Sequence, residues 1–192
     1  MESRAAYTVP VVVPTVAPPL AQLPNALTVA RFALIPPFVV LVLAAEDAHS
    51  LAAGLLFGIA ALTDQVDGFL ARRWHVESEF GKYADPLADR LMIDAAVILL
   101  FVADRLPAVA LAIIVVRDVV LVAGSRFALE RGYTFEVSRL GKTATWVLYL
   151  ALFCILLTPA GSEWPLGLFW AGLGLAVLAG LAYGRAVWGI VR

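Results

Sequence analysis

Residues 51–72 read LAAGLLFGIAALTDQVDGFLAR, thirteen uncharged residues followed by two acids one helical turn apart, Asp64 and Asp67. The stretch is too long and too rich in Ala and Leu for the ten-residue alternating strand of a membrane barrel, so its pattern predicts a helix. Apolar runs of comparable length recur at about 26–45, 86–104, 107–129, 140–158 and 166–188. A helix needs ~20 residues to cross a hydrocarbon core. Composition agrees: the 192 residues are 62% hydrophobic and 15% charged, with mean hydropathy +0.90, where soluble domains carry about 25% charge. The expected fold is therefore an all-α integral membrane protein, a bundle of six transmembrane helices. One membrane domain is expected over 25–192, behind a disordered or extended tail over 1–24. Prolines at 10, 14, 18 and 19 interrupt that tail, and it lacks the basic start and continuous apolar core of a cleaved signal peptide. Pro36 and Pro37 fall inside the first run and predict a kink there.

Cys154 is the single cysteine, so no intramolecular disulfide and no cysteine-based metal site is available. A net charge of −1 argues against nucleic acid as a partner, which demands an excess of cations. Placement of charge says more. Of the fourteen Lys and Arg residues, twelve fall in the tail, the segments near 72–85 and 130–139, the C-terminus or adjoining helix ends. Positively charged loops stay cytoplasmic, so these mark one cytoplasmic side carrying both termini. Glu46, Asp47, His49, Asp104, Arg105 and Glu163 mark the other, and Arg117 lies within a helix. A cell inner (plasma) membrane is the simplest setting. No fixed-period repeat and no pair of matching broken helices is present, which weakens a transporter reading.

Working outward from Asp64, the chain continues through Gly68, Ala71 and Arg72, then, after eight residues, Gly81, Asp85 and Asp89. On a helix, Asp64, Asp67, Gly68 and Ala71 fall within an arc of ~100°, and Asp85 and Asp89 share a face four residues apart. Ionised carboxylates near a bilayer are costly and usually face protein, a partner or water. Four together raise each other's pKa unless positive charge sits among them. A divalent ion meets that need, and oxygen-only ligands favour Mg²⁺ or Mn²⁺ over zinc. Two ions ~4 Å apart suit phosphoryl transfer, while Gly68, Ala71 and Gly81 let a ligand approach the backbone. The plainer alternatives are interhelical ion pairs with Arg72, Arg73, Lys82 and Arg90, or a cation or proton pathway. Small residues beside the acids gain little in such a pathway.

The complete pattern, D-x-x-D-G-x-x-A-R, eight residues, G-x-x-x-D-x-x-x-D over residues 64–89, resembles the signature of the CDP-alcohol phosphatidyltransferase family. The resemblance implies a six-helix membrane bundle, usually a homodimer, with two divalent ions per site held by Asp64, Asp67 and Asp85. Asp89 would be a further ligand and the general base, and Gly68, Ala71, Arg72 and Gly81 would contact the cytidine nucleotide. The implied reaction is attack by an alcohol hydroxyl on the lipid-side phosphorus of CDP-diacylglycerol, expelling CMP. Asp64 lies ~20 Å along its helix from Leu51 at 1.5 Å per residue, which sets the chemistry toward the cytoplasmic interface and the membrane lipids.

Residues outside the signature bear on the acceptor. Asn25, Thr28 and Arg31 form an N-x-L-T-x-x-R opening similar to that of phosphatidylglycerophosphate synthases and related cardiolipin synthases; a helix cap for Asn25 and snorkelling for Arg31 are their structural alternatives. Arg117 and Asp118 sit deep in the fourth run. They must be buried or line a cavity, either as a local ion pair or with Arg117 binding an anionic acceptor. Arg139, Gly141, Lys142 and Thr145 resemble the G-K-x-x-T region of phosphatidylglycerophosphate synthases, though Arg-Asp at 117–118 resembles cardiolipin synthases more. Asp94 reads as a partner of Arg90 or Arg117. The expected acceptor is glycerol 3-phosphate; phosphatidylglycerol, giving cardiolipin, is the alternative.

Overall fold

A computed structural model of the protein describes the backbone of residues 23–74, 79–130 and 138–191, and the side chains within 26–63, 90–121, 138–182 and 184–185. Among these residues the chain forms six α-helices: α1 (Leu23–Leu43), α2 (Leu51–Trp74), α3 (Glu79–Val102), α4 (Ala108–Glu130), α5 (Arg139–Leu157) and α6 (Glu163–Val191). One 3-10 turn, Glu46–Ala48, joins α1 to α2. The tail over 1–22 lies outside the described residues, and α1 begins two residues earlier than the sequence suggests.

Helix neighbours close into a ring. α1 packs on α2 and α3, α2 on α5, α5 on α6, and α4 on both α6 and α3. Phe38 of α1, Phe57 of α2 and Tyr149 of α5 run through the interior as a chain of tilted rings, with centroids 5.6 and 5.3 Å apart. Small residues let the backbones approach, which replaces the hydrophobic driving force that lipid cannot supply between helices. A Cβ on Gly172 of α6 would stand 3.1 Å from the main-chain nitrogen of Leu148, and one on Gly54 of α2 would come 2.6 Å from Cδ2 of Leu157. α1 continues as one helix through Pro36 and Pro37. It forgoes there the hydrogen bonds that the carbonyls of Phe32 and Ala33 would receive.

The outside of the ring is as apolar as the inside. Leu43, Leu51, Leu62, Val102, Val116, Val120 and Trp164 are all exposed. Such a surface is a liability in water and the required lining in lipid. Three segments, Ala26–Leu43, Arg139–Leu157 and Glu163–Ala182, are long and apolar enough to cross a membrane by length and composition. This is a membrane protein.

At one end of the ring three turns are tied together by Arg105. Its guanidinium donates to the carbonyls of Asp47 at 3.3 Å, Thr158 at 2.9 Å and Pro159 at 3.3 Å. His49 Nε2 lies 3.1 Å from the Leu157 carbonyl, and the Ser50 amide donates to the Leu156 carbonyl at 3.0 Å. Burial lowers the Arg105 pKa while the neighbouring Asp47 opposes that shift, and a guanidinium stays protonated throughout the physiological range. Asp47, Ala48 and Asp104 adopt left-handed backbone conformations with φ near +50°. That costs on the order of 1–3 kcal/mol each, which the carbonyl contacts of Arg105 help to hold.

Candidate active site

α2 and α3 leave the Arg105 junction at one end and meet, in sequence, at the other. Asp64, Asp67, Gly68, Ala71 and Arg72 all belong to the second half of α2, and Gly81, Asp85 and Asp89 to the first half of α3. The helical backbone assumed for the signature is thus present on both sides of residues 75–78. The side chains of these eight residues, and of Asn25, lie outside the described residues. Neither α2 nor α3 contains a His or Cys, so the donors the two helices can offer a metal are oxygens, chiefly carboxylates. That set fits a hard divalent cation.

On α1, Thr28 and Arg31 are both 1% exposed. Arg31 is the largest fully buried side chain among the described residues, so it does not reach out toward headgroups as the snorkelling alternative supposed. The two residues stand three apart, on one face of α1.

Arg117 and Asp118 form the local ion pair that the sequence allows, and Arg117 also borders a cavity. Arg117 Nη1 lies 3.2 Å from Asp118 Oδ1, and Arg117 also lines a cavity of about 710 Å³ between α4 and α6. Ile113, Val116, Val120 and Leu181 wall this cavity and Gly180 and Gly184 open it; among the described residues, Arg117 and Arg185 are its charged groups. It is an open, largely apolar groove of small-molecule size, to which the two guanidiniums contribute little surface. Sequence reading did not single out Arg185 as a partner of Arg117, because nothing local relates positions on α4 and α6.

From α3, Arg90 reaches the same pair. Its Nη1 donates to the main-chain carbonyl of Asp118 at 3.1 Å and lies 3.8 Å from the carboxylate. Asp94, one turn along, is within electrostatic reach of Asp118, Arg90 and Arg117. Its stronger electrostatic neighbour is Asp118, with Arg90 and Arg117 acting more weakly on it. Two carboxylates and two guanidiniums make a formally neutral group between α3 and α4.

At the start of α5, Ser138 caps the helix by accepting from the Gly141 amide at 3.1 Å. Arg139 and Lys142 are exposed on the first turn. The hydroxyl of Thr145 turns onto its own helix, donating to the Gly141 carbonyl at 3.1 Å.

The sequence profile of the family described as CDP-alcohol phosphatidyltransferase matches residues 21–180. A protein of Bacillus subtilis (strain 168) named "CDP-diacylglycerol--glycerol-3-phosphate 3-phosphatidyltransferase" is 40% identical over 150 residues, covering 71% of this chain and 77% of its own length. A Rickettsia felis protein of the same name is 35% identical over 175 residues, covering 86% and 94%. One from Escherichia coli (strain K12), again of that name, is 34% identical over 145 residues, covering 72% and 78%. The profile takes in α1 through most of α6, so the likeness extends from the aspartate-bearing helices to the cavity that Arg117 lines. By its matched span and by these relatives alike, the chain belongs to the CDP-alcohol phosphatidyltransferase family.

Proposed function

We propose that this transferase moves the phosphatidyl group of CDP-diacylglycerol to glycerol 3-phosphate, forming phosphatidylglycerophosphate and releasing CMP. The observation that carries the reading is the similarity to relatives of that printed activity, extending in one case over 89% of the chain. The complete aspartate pattern on α2 and α3 supports it.

Asp64, Asp67 and Asp85 hold two Mg²⁺ or Mn²⁺ ions, with Asp89 completing the set. When bound, those ions supply positive charge to the diphosphate and the departing nucleotide. Gly68, Ala71 and Gly81 let the cytidine nucleotide lie against the backbone, and Arg72 offers it a cation. Arg117 binds the acceptor's phosphate from the α4–α6 cavity, and Asn25, Thr28, Arg31, Arg139 and Lys142 complete the acceptor side. Asp89 takes the proton of the acceptor hydroxyl as its oxygen bonds to the lipid-side phosphorus. The bond between that phosphorus and the bridging oxygen breaks, and CMP leaves with the electron pair. In this arrangement all six helices cross the inner (plasma) membrane, both termini lie in the cytoplasm, the aspartates sit at the cytoplasmic face and the chain works as a homodimer.

An acceptor screen tests the assignment. Purified protein in mixed micelles, given labelled CDP-diacylglycerol and Mg²⁺, is expected to release CMP with glycerol 3-phosphate. Release with phosphatidylglycerol alone assigns cardiolipin synthesis instead, and ion flux across liposomes without nucleotide turnover returns the chain to the carrier class.

A further inference from the structure

The group formed by Arg90, Asp94, Arg117 and Asp118 has no part in the chemistry above except through Arg117. Its location gives it one. Arg90 directly follows Asp89 on α3, and it is fastened to α4 twice through Asp118: by the main-chain carbonyl at 3.1 Å and beside the carboxylate at 3.8 Å. The same carboxylate lies 3.2 Å from Arg117, the cation in the α4–α6 cavity. We propose that Asp118 is a positioning residue for phosphatidyl transfer, which fixes the rotation of α3 through Arg90 and the aim of the acceptor cation through Arg117. This rests on the function proposed above.

Two magnitudes favour this reading over simple adhesion between helices. Side-chain tips stand ~5–6 Å from a helix axis, so turning α3 by about 20° moves the carboxylates of Asp85 and Asp89 by roughly 2 Å. Catalytic groups tolerate displacements of only ~0.5 Å, so α3 needs a fixed rotational reference close to Asp89. Adhesion, by contrast, needs no charge: buried ion pairs are often replaceable by apolar residues without loss of stability. Asp118 is 8% exposed, and an apolar residue there would pack α3 against α4 at least as well. It would keep the main-chain bond to Arg90 but remove the charge that both guanidiniums face.

Asp118→Asn keeps the main-chain acceptor and removes the charge; Asp118→Glu keeps the charge on a longer arm. Arg90→Met removes the link from the α3 side and retains apolar bulk. Each full-length variant is compared with wild type for CMP release with glycerol 3-phosphate, for Mn²⁺ affinity by titration without substrate, and for thermal unfolding. Asp118→Asn and Arg90→Met are expected to lower kcat about 10- to 100-fold, as small misplacements do, with KM for CDP-diacylglycerol within about twofold. Mn²⁺ affinity, measured well below each unfolding midpoint, is expected to fall several-fold, and Asp118→Glu to recover most of the kcat. The proposal is overturned by wild-type kcat and Mn²⁺ affinity in Asp118→Asn and Arg90→Met. It is equally overturned by activity that falls only in step with the unfolding midpoint, or by a change confined to KM for glycerol 3-phosphate. Wild-type protein that releases no CMP overturns the functional reading itself, a result separate from any comparison among variants.

Discussion

The guanidinium of Arg105 donates from Nη2 to the main-chain carbonyl of Thr158 at 2.9 Å, joining the turn after α3 to the turn after α5. Further bonds to Pro159 and Asp47 bring in the turn after α1. All the partners are main-chain carbonyls, so any cation of the right reach and fork geometry serves, and Lys, with a single point of donation, serves poorly.

Replacing Arg105 by Met is therefore expected to lower stability by about 1–3 kcal/mol, the usual worth of hydrogen bonds to a charged donor. Arg105→Lys should recover less than half of the loss. Thermal unfolding in detergent checks both, and CMP release below the transition should stay near wild type.

Gly172 lies where α6 meets α5, with room for no further atom beside the Leu148 main chain. Gly172→Val is expected to cost about 1–3 kcal/mol through overpacking. Gly174, where a Cβ would meet nothing within 4 Å, is the control: Gly174→Ala should leave the unfolding midpoint unchanged or slightly raised, as helix propensity favours Ala.

Loss of metal is expected to stop the reaction. Exhaustive chelation should abolish CMP release, with recovery on adding Mg²⁺ or Mn²⁺. Asp67→Asn should reduce kcat by at least about 100-fold, in keeping with removal of an electrostatic group acting on the transition state. Full CMP release from Asp67→Asn would remove this residue from the ligand set.

Arg117→Met should raise KM for glycerol 3-phosphate by about tenfold or more, since a phosphate contact to a guanidinium is charge-assisted. KM for CDP-diacylglycerol should change little. Arg185 shares the cavity, so Arg185→Met is expected to act in the same direction and more weakly from its exposed position. Initial rates over a matrix of both substrates separate the two effects.

Most helix positions were legible because the helix is written into the chain as an apolar run bounded by charge or turn residues, whereas α3 begins at Glu79, seven residues before the run at 86–104, in its charged first half. The run at 140–158 became α5, Arg139–Leu157, and that at 107–129 became α4, Ala108–Glu130. Likewise the Arg117–Asp118 contact follows from the rule that a charge in an apolar helix needs a partner within reach. Other features left no such trace. The Arg105 junction binds carbonyl groups, which every residue type carries, so no spacing encodes it. Gly54 and Gly172 read as ordinary small residues until the facing helix is known. The burial of Arg31 depends on what packs over α1, and the sharing of one cavity by Arg117 and Arg185 depends on α4 lying against α6. Each belongs to tertiary packing, where residues far apart in the chain share one environment.

Gathering three turns on one guanidinium also decides where the molecule can yield. α2, with 24 residues, extends ~36 Å from that junction at 1.5 Å per residue. A tilt of about 3° at the fastened end then displaces its far tip by roughly 2 Å at that length. Residues 75–78 join that tip to the start of α3 in sequence, so the aspartate-bearing halves of the two helices move together about the fastened end.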